Sequence, residues 1–123
     1  MTPGVLAATL ASRIYPRLSG TPVLVMGEDE LAEQFARHFA AYGAKVLFLH
    51  QGDTLENEFH RHDVVACFGT PGPIRRAAVE KAVRARKRRP ILLLDLGHPP
   101  SVEPDVGELD DVFLYTLKDL YQA

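Results

Sequence analysis

The segment from Thr21 to Ala44, TPVLVMGEDELAEQFARHFAAYGA, constrains this chain more than any other. Val23 to Met26 is a continuous apolar run, the pattern of a central parallel strand covered on both faces. Gly27 ends it. Leu31, Phe35 and Phe39, with Ala32 and Ala36 offset, then recur at three- and four-residue spacing, which predicts a helix laying one apolar stripe on a sheet. Gly43 is placed to close that helix as a C-cap. A buried strand turning at a glycine into an amphipathic helix is the opening unit of an α/β fold, and the rest of the chain continues it.

The turn itself carries chemistry. Dinucleotide-binding turns read G-x-G-x-x-G/A, in which the middle glycine lets the backbone approach a pyrophosphate at the helix N-terminus. Here the frame is Gly27-Glu28-Asp29-Glu30-Leu31-Ala32, so the outer positions are kept and Asp29 stands in the middle. Two like charges about 4 Å apart repel by roughly 4 kcal/mol at an effective dielectric of about 20. That is on the order of a thousandfold in affinity. Carboxylates at a helix start also satisfy the macrodipole and the free N–H groups themselves. The expectation is a Rossmann-like turn whose own acids occupy the anion site.

A chain of 123 residues is one domain by length, here 1–20 as an N-terminal helix and linker and 21–123 as the sheet domain. The net charge of −2 gives no general attraction to nucleic acid or anionic membrane. The single cysteine, Cys67, excludes an internal disulfide framework and points to a reducing, cytoplasmic setting. No run is long enough to span a bilayer, and the first twenty residues lack the layout of a signal peptide.

In chain order, Met1–Gly4 is expected to be a disordered start, and Val5–Leu18 a helix with Leu6, Leu10, Ile14 and Leu18 on one side. Lys45–Leu49 reads as a second buried strand and Val64–Phe68 as a third. The connection between them is barely long enough for a parallel crossover, with room only for a short helix around Leu55–Phe59. Gly69-Thr70-Pro71-Gly72-Pro73 is a loop at the carboxyl end of the third strand, and Pro73 suits the first turn of a helix running from Ile74 to about Arg89. Ile91–Leu96 is the fourth strand, Ser101–Leu109 irregular or one helical turn, Val112–Tyr115 the fifth strand, and Thr116–Ala123 the start of a last helix. The alternation gives a three-layer α/β Rossmann-like fold with a five-stranded parallel sheet of order 2-1-3-4-5. Any ligand crevice then lies between strands one and three.

The blocks ASRIYPRLSGTPVLVMGEDELAEQFARHFAAYGAKV, DVVACFGTPGPI and RARKRRPILLLDLGHPPSVEPDVGELDDVFLYTLKDL together resemble the NADPH-binding domain of glutamyl-tRNA reductase. The last block is the most specific, with Arg89-Pro90, Asp95-Leu96, Pro99, Glu103-Pro104, Val106, Leu109-Asp110, Val112, Leu114-Tyr115 and Asp119-Leu120 in the family's order and spacing. The resemblance implies NADP as cofactor, with Gly27, Asp29 and Ala32 on the glycine-rich turn and Gly69, Thr70, Pro71 and Gly72 in the facing loop. Three departures weigh against the ordinary cofactor pose. Asp29 replaces the middle glycine, His50-Gln51-Gly52 stands where the family has Asn-Arg-Thr, and Pro99-Pro100 stands where it has Pro-Arg. The family's catalytic cysteine belongs to another domain, so Cys67 does not inherit its role, and no catalytic residue is assigned. The implied function is a stand-alone binding or accessory domain related to tetrapyrrole biosynthesis, without reductase activity. The alternative is a small NAD(P)-dependent oxidoreductase with a modified dinucleotide site. A homodimer, or a separate protein partner, is expected to cover apolar faces left by missing domains.

Other candidates have plainer readings. Cys67 in an apolar run is a buried, inert thiol. His50, His60, His62 and His98 match no zinc spacing, and no metal is expected. Arg84 to Arg89 reads as a solvated helix end rather than an RNA contact. Arg75 and Arg76, beside Thr70 and Gly72, form an anion site or an ordinary helix cap, and Asp95 fixes the loop that follows it by hydrogen bonds.

Overall fold

The structure, a computed structural model, describes residues 1–50, 57–69 and 73–122. Its elements run α1 (Pro3–Ile14), β1 (Pro22–Met26), α2 (Glu30–Ala41), β2 (Lys45–Leu49), β3 (Val64–Cys67), α3 (Arg76–Ala85), β4 (Ile91–Asp95), β5 (Val112–Thr116) and α4 (Leu117–Gln122). Short 3-10 turns at Phe59–Arg61 and Pro104–Glu108 fill the connections before β3 and before β5. The five strands form one parallel sheet in the order β2-β1-β3-β4-β5, the expected arrangement.

Strand alternation divides the core in two. Val23, Val25, Val64, Ala66, Leu92 and Leu94 point to the face covered by α1, α2 and α4. Leu24, Met26, Val65, Cys67, Ile91 and Leu93 point to the face covered by α3 and the two 3-10 turns. Every residue of β3 and β4 is buried, which explains the unbroken apolar runs VVAC and ILLL. Among the described residues no helix is long and apolar enough to cross a membrane.

Several expected boundaries move for local reasons. The chain start is ordered, because Pro3 occupies the first helical turn and the Thr2 hydroxyl accepts the Val5 N–H at 3.4 Å. Helix α1 ends at Ile14 rather than Leu18, since Tyr15 precedes Pro16 and is extended. Leu31 is 54% exposed, so the buried stripe of α2 is Ala32, Phe35 and Phe39. Gly43, at φ +84°, closes that helix as expected. Strand β2 is a half-exposed edge rather than a buried strand, with Leu47 38% exposed. The expected short helix around Leu55–Phe59 falls largely on residues 51–56, outside the described residues, and the turn observed begins at Phe59. Helix α3 starts two residues after Ile74, because Ile74 forms a parallel bridge with Val102 and cannot enter a helix. Pro73 therefore lies ahead of the first turn rather than in it.

Candidate functional site

The carboxyl ends of β1, β3 and β4 open onto one edge of the sheet, where the loops bearing Gly27–Ala32, Phe68–Gly69 and Leu96–Ser101 meet. A Cβ built on Gly27 would lie 2.7 Å from the Ala32 Cβ and 3.0 Å from the Phe68 Cβ. Close packing against Ala32 and Phe68 thus leaves no room for a side chain at Gly27. Gly27 and Ala32 are the two motif positions whose work is the tight turn and helix–strand contact. The middle position is different. Asp29 is the N-cap of α2, and its Oδ1 accepts the Ala32 N–H at 2.9 Å. One of the donors that an anion would use at this helix start is thus satisfied by a carboxylate of the chain itself, with Glu30 and Glu33 in the same turn.

The neighbouring helix start is closed in the same way. Arg75 caps α3 without a side-chain bond, and Glu103 reaches across from the other loop so that its Oε1 accepts the Arg76 N–H at 2.8 Å. Arg76 itself turns to Glu80 at 2.8 Å and Glu108 at 3.1 Å, and these hydrogen bonds hold its guanidinium above its ordinary pKa. Arg75 lies 4.0 Å from Glu103. Of the two readings open for Arg75 and Arg76, the structure has the capped helix, with both cations facing carboxylates. Glu103 was not legible as a cap, because it lies 27 residues from its partner and leaves no local spacing to read.

Asp95 behaves as expected. It is 2% exposed, and its two carboxylate oxygens accept the N–H groups of Ser101 at 3.1 Å and Val102 at 2.9 Å. Cys67 pairs in register with Asp95 and is fully buried. Burial, helped by the Asp95 charge, pushes its thiol up to about 12, so it is not a nucleophile at neutral pH. Gly69, at φ +109°, ends β3 against Gly97, where a Cβ would lie 2.9 Å from the Gly69 nitrogen. The remaining site residues Thr70, Pro71 and Gly72 lie outside the described residues. Phe68, Gly69 and Pro73 face His98, Pro99, Pro100 and Ser101 across an open cleft of about 310 Å³.

Of the four histidines weighed as metal ligands, His62 is buried with Nδ1 2.8 Å from the Glu58 carbonyl. Among the described residues no three His, Cys, Asp or Glu side chains gather as a metal site.

The basic run corrects an expectation. Arg86 is 1% exposed and is no solvated helix end. Its guanidinium donates to the carbonyls of His62 at 2.8 Å and Pro90 at 2.7 Å and to the Asp63 carboxylate at 2.8 Å. Weaker bonds reach the carbonyls of His60 and Arg89.

Compared with known proteins, residues 48–123 match the sequence profile of the family described as shikimate / quinate 5-dehydrogenase. The match begins beyond the acidic turn. Glutamyl-tRNA reductase from Methanopyrus kandleri is 30% identical with a TM-score of 0.85, over 97% of this chain and 35% of that one. Dipicolinate synthase from Bacillus subtilis is 19% identical, with a TM-score of 0.66, over 93% of this chain and 44% of that one. The N5,N10-methylenetetrahydrofolate dehydrogenase-cyclohydrolase of Trypanosoma brucei, solved with NADP and an inhibitor, is 16% identical, with a TM-score of 0.67, over 93% of this chain and 42% of that one. The last two show the fold alone. The chain spans about a third of the Methanopyrus protein and less than half of the other two.

Proposed function

This chain belongs to the shikimate / quinate 5-dehydrogenase family, and we propose that within it the chain is a binding or accessory domain rather than a reductase. Its setting is the cytoplasm and its role lies in or beside tetrapyrrole biosynthesis. The likeness to glutamyl-tRNA reductase, at 30% identity over nearly the whole chain, supports that placement. The observation that carries the binding reading is the 2.9 Å bond from the Ala32 N–H to Asp29. An NADP diphosphate lying across this turn would have to displace that carboxylate and sit beside it. At close approach the repulsion alone is worth roughly 4 kcal/mol.

The chain self-associates as a two-fold dimer or docks on a separate protein. Exposed Leu117 and Tyr121 on α4 support a contact on that side of the molecule. The second reading, a small NAD(P)-dependent oxidoreductase, is favoured by the intact Rossmann-type sheet and by the packing of Gly27 on Ala32. Calorimetric titration with NADPH and NADH separates the two. No heat at millimolar cofactor supports the binding domain, and micromolar affinity overturns it in favour of the oxidoreductase.

A further inference from the structure

The turn that joins α3 to β4 holds two residues in a conformation that glycine ordinarily supplies. Lys87 lies at φ +55° and Arg88 at φ +62°, and among the described residues no other non-glycine residue has a positive φ. The helix closes in a Schellman pattern, with the Lys87 N–H donating to the Arg84 carbonyl at 3.1 Å and the Arg88 N–H to the Val83 carbonyl at 3.3 Å. Lys87 thus stands where a glycine would cost least, and Arg88 repeats the strain one residue on. Both side chains are exposed, so packing does not account for either.

The strain is maintained from below. Arg86, 1% exposed, donates to the carbonyls of His62 and Pro90 and to the Asp63 carboxylate, so the turn cannot relax without breaking a buried charged network. Arg86 itself is scaffolding. What it mounts is a row of three exposed cations, Lys87, Arg88 and Arg89, on a main chain with fixed direction.

The surroundings add charge of the same sign. The Tyr15 hydroxyl lies within hydrogen-bond distance of the Asp63 and Pro90 carbonyls, which brings the end of α1, with exposed Arg13 and Arg17, to this end of the sheet. Most acids here are engaged: Asp63 with Arg86 at 2.8 Å, Asp111 with Arg88 at 3.2 Å and Glu58 with Arg61 at 3.5 Å. Exposed Asp110 borders one side. Among the described residues Lys87, Arg89, Arg13 and Arg17 face no carboxylate. The opposite end of the sheet carries Asp29, Glu30, Glu33 and Glu103, and the whole chain has a net charge of −2. A long polyanion reaching past the basic end would meet that acidic field, whereas a short run of carboxylates would not.

We propose that Lys87, Arg88 and Arg89, with Arg13 and Arg17 beside them, form a docking surface for a short segment of a separate protein rich in aspartate and glutamate. This gives the chemistry of the separate partner in the function proposed above and rests on that reading.

The test is an amide-correlation NMR titration of the whole chain with hexaglutamate, with hexalysine as the charge-reversed control and hexauridylate as the competing polyanion. Hexaglutamate should shift the signals of Arg17 and Lys87 to Arg89 and weaken with added salt, and hexalysine should leave them in place. Replacing Lys87→Gly and Arg88→Gly together should weaken hexaglutamate by about fivefold or more and raise the Tm, because glycine removes the strain along with the charge. Lys87→Gln, which keeps the backbone strain and loses only the charge, should weaken binding without raising the Tm. No shifts at millimolar hexaglutamate, tighter binding of hexauridylate, or unchanged affinity in the glycine variant would each overturn the proposal. A lowered Tm in the glycine variant would also overturn it, by showing that the fold itself requires Lys87 and Arg88. The same shifts on concentrating the chain alone would assign the surface to a second copy instead. NADPH titrated into the same samples judges the binding-domain reading separately, through shifts at Gly27–Ala32, which lie at the other end of the sheet.

Discussion

The two ends of the sheet are held by opposite chemistries. At the amino end, Arg86 gathers carbonyl oxygens from the segments entering β3 and β4, and the Tyr15 hydroxyl sits between the carbonyls of Asp63 at 2.8 Å and Pro90 at 2.7 Å. At the carboxyl end, Asp29, Asp95 and Glu103 gather N–H groups from the segments leaving β1, β3 and β4. A buried cation satisfying carbonyls leaves nothing for a ligand to recognise. Free N–H groups at the carboxyl end are what anion-binding members of this architecture offer, and here carboxylates have taken those of Ala32, Arg76, Ser101 and Val102. The difference teaches that the same device, a charged side chain bonded to main chain, is plain scaffolding at one end and a statement about ligand choice at the other.

The largest effect should come from the amino end. Arg86→Met leaves Asp63 and several carbonyls without their donor, and removing one partner of a buried charged network costs about 3–5 kcal/mol. Urea unfolding measures it. Arg86→Lys should recover little, since an ammonium cannot reproduce the planar fork; full recovery would show that charge alone holds this end. At the carboxyl end, Asp95→Asn replaces one acceptor by a donor facing an N–H group and should cost about 1–3 kcal/mol. A loss equal to that of Arg86→Met would erase the contrast between the ends.

Alkaline titration examines both ends at once. Burial raises the Cys67 thiol from 9.0 to about 12, and burial with the Asp63 charge raises Tyr15 above its ordinary 10.0. Both groups are neutral when folded, and the unfolded chain releases their protons first. Their stabilising contribution is complete below pH 9 and is lost as pH climbs, at about 1.4 kcal/mol per unit for each group in its window. Cys67→Ala should flatten the stability curve from pH 9 upward, and Tyr15→Phe only from pH 10. Unchanged slopes in both variants would place the alkaline sensitivity elsewhere.

What could be read from the sequence follows the range of each interaction. The runs VLVM, VVAC and ILLL give the sheet because burial on both faces leaves no polar position to interrupt them. The Asp29 cap is legible because its partner is three residues away. Glu103 and Arg86 are not, since their partners lie 27 and 24 residues off in chain and are joined only by the fold. Arg86 is further hidden among neighbouring basic residues that are exposed. Strand β2 misleads for the converse reason. KVLFL looks fit for a core, yet its burial depends on what covers it, and as the outermost strand it leaves Leu47 open. Leu31 shows the same limit, because spacing alone does not fix which side of α2 meets the sheet.

The smallest change in stability should accompany the sharpest change in recognition. Asp29→Gly removes the cap but keeps a residue tolerated at this position, costing only a few tenths of a kcal/mol. It also frees the Ala32 N–H and removes a negative charge from the path of a diphosphate. Asp29→Asn separates these two effects, since an amide oxygen can still accept the Ala32 N–H while carrying no charge. If occupancy of the N–H closes the turn, NADPH affinity rises for Asp29→Gly and not for Asp29→Asn. If repulsion closes it, both variants gain, by up to about a thousandfold for the full electrostatic penalty. Calorimetry on the three proteins decides between them, and an affinity unchanged in both variants would show that Asp29 does not guard this turn, so that the carboxyl end is scaffolding like the amino end.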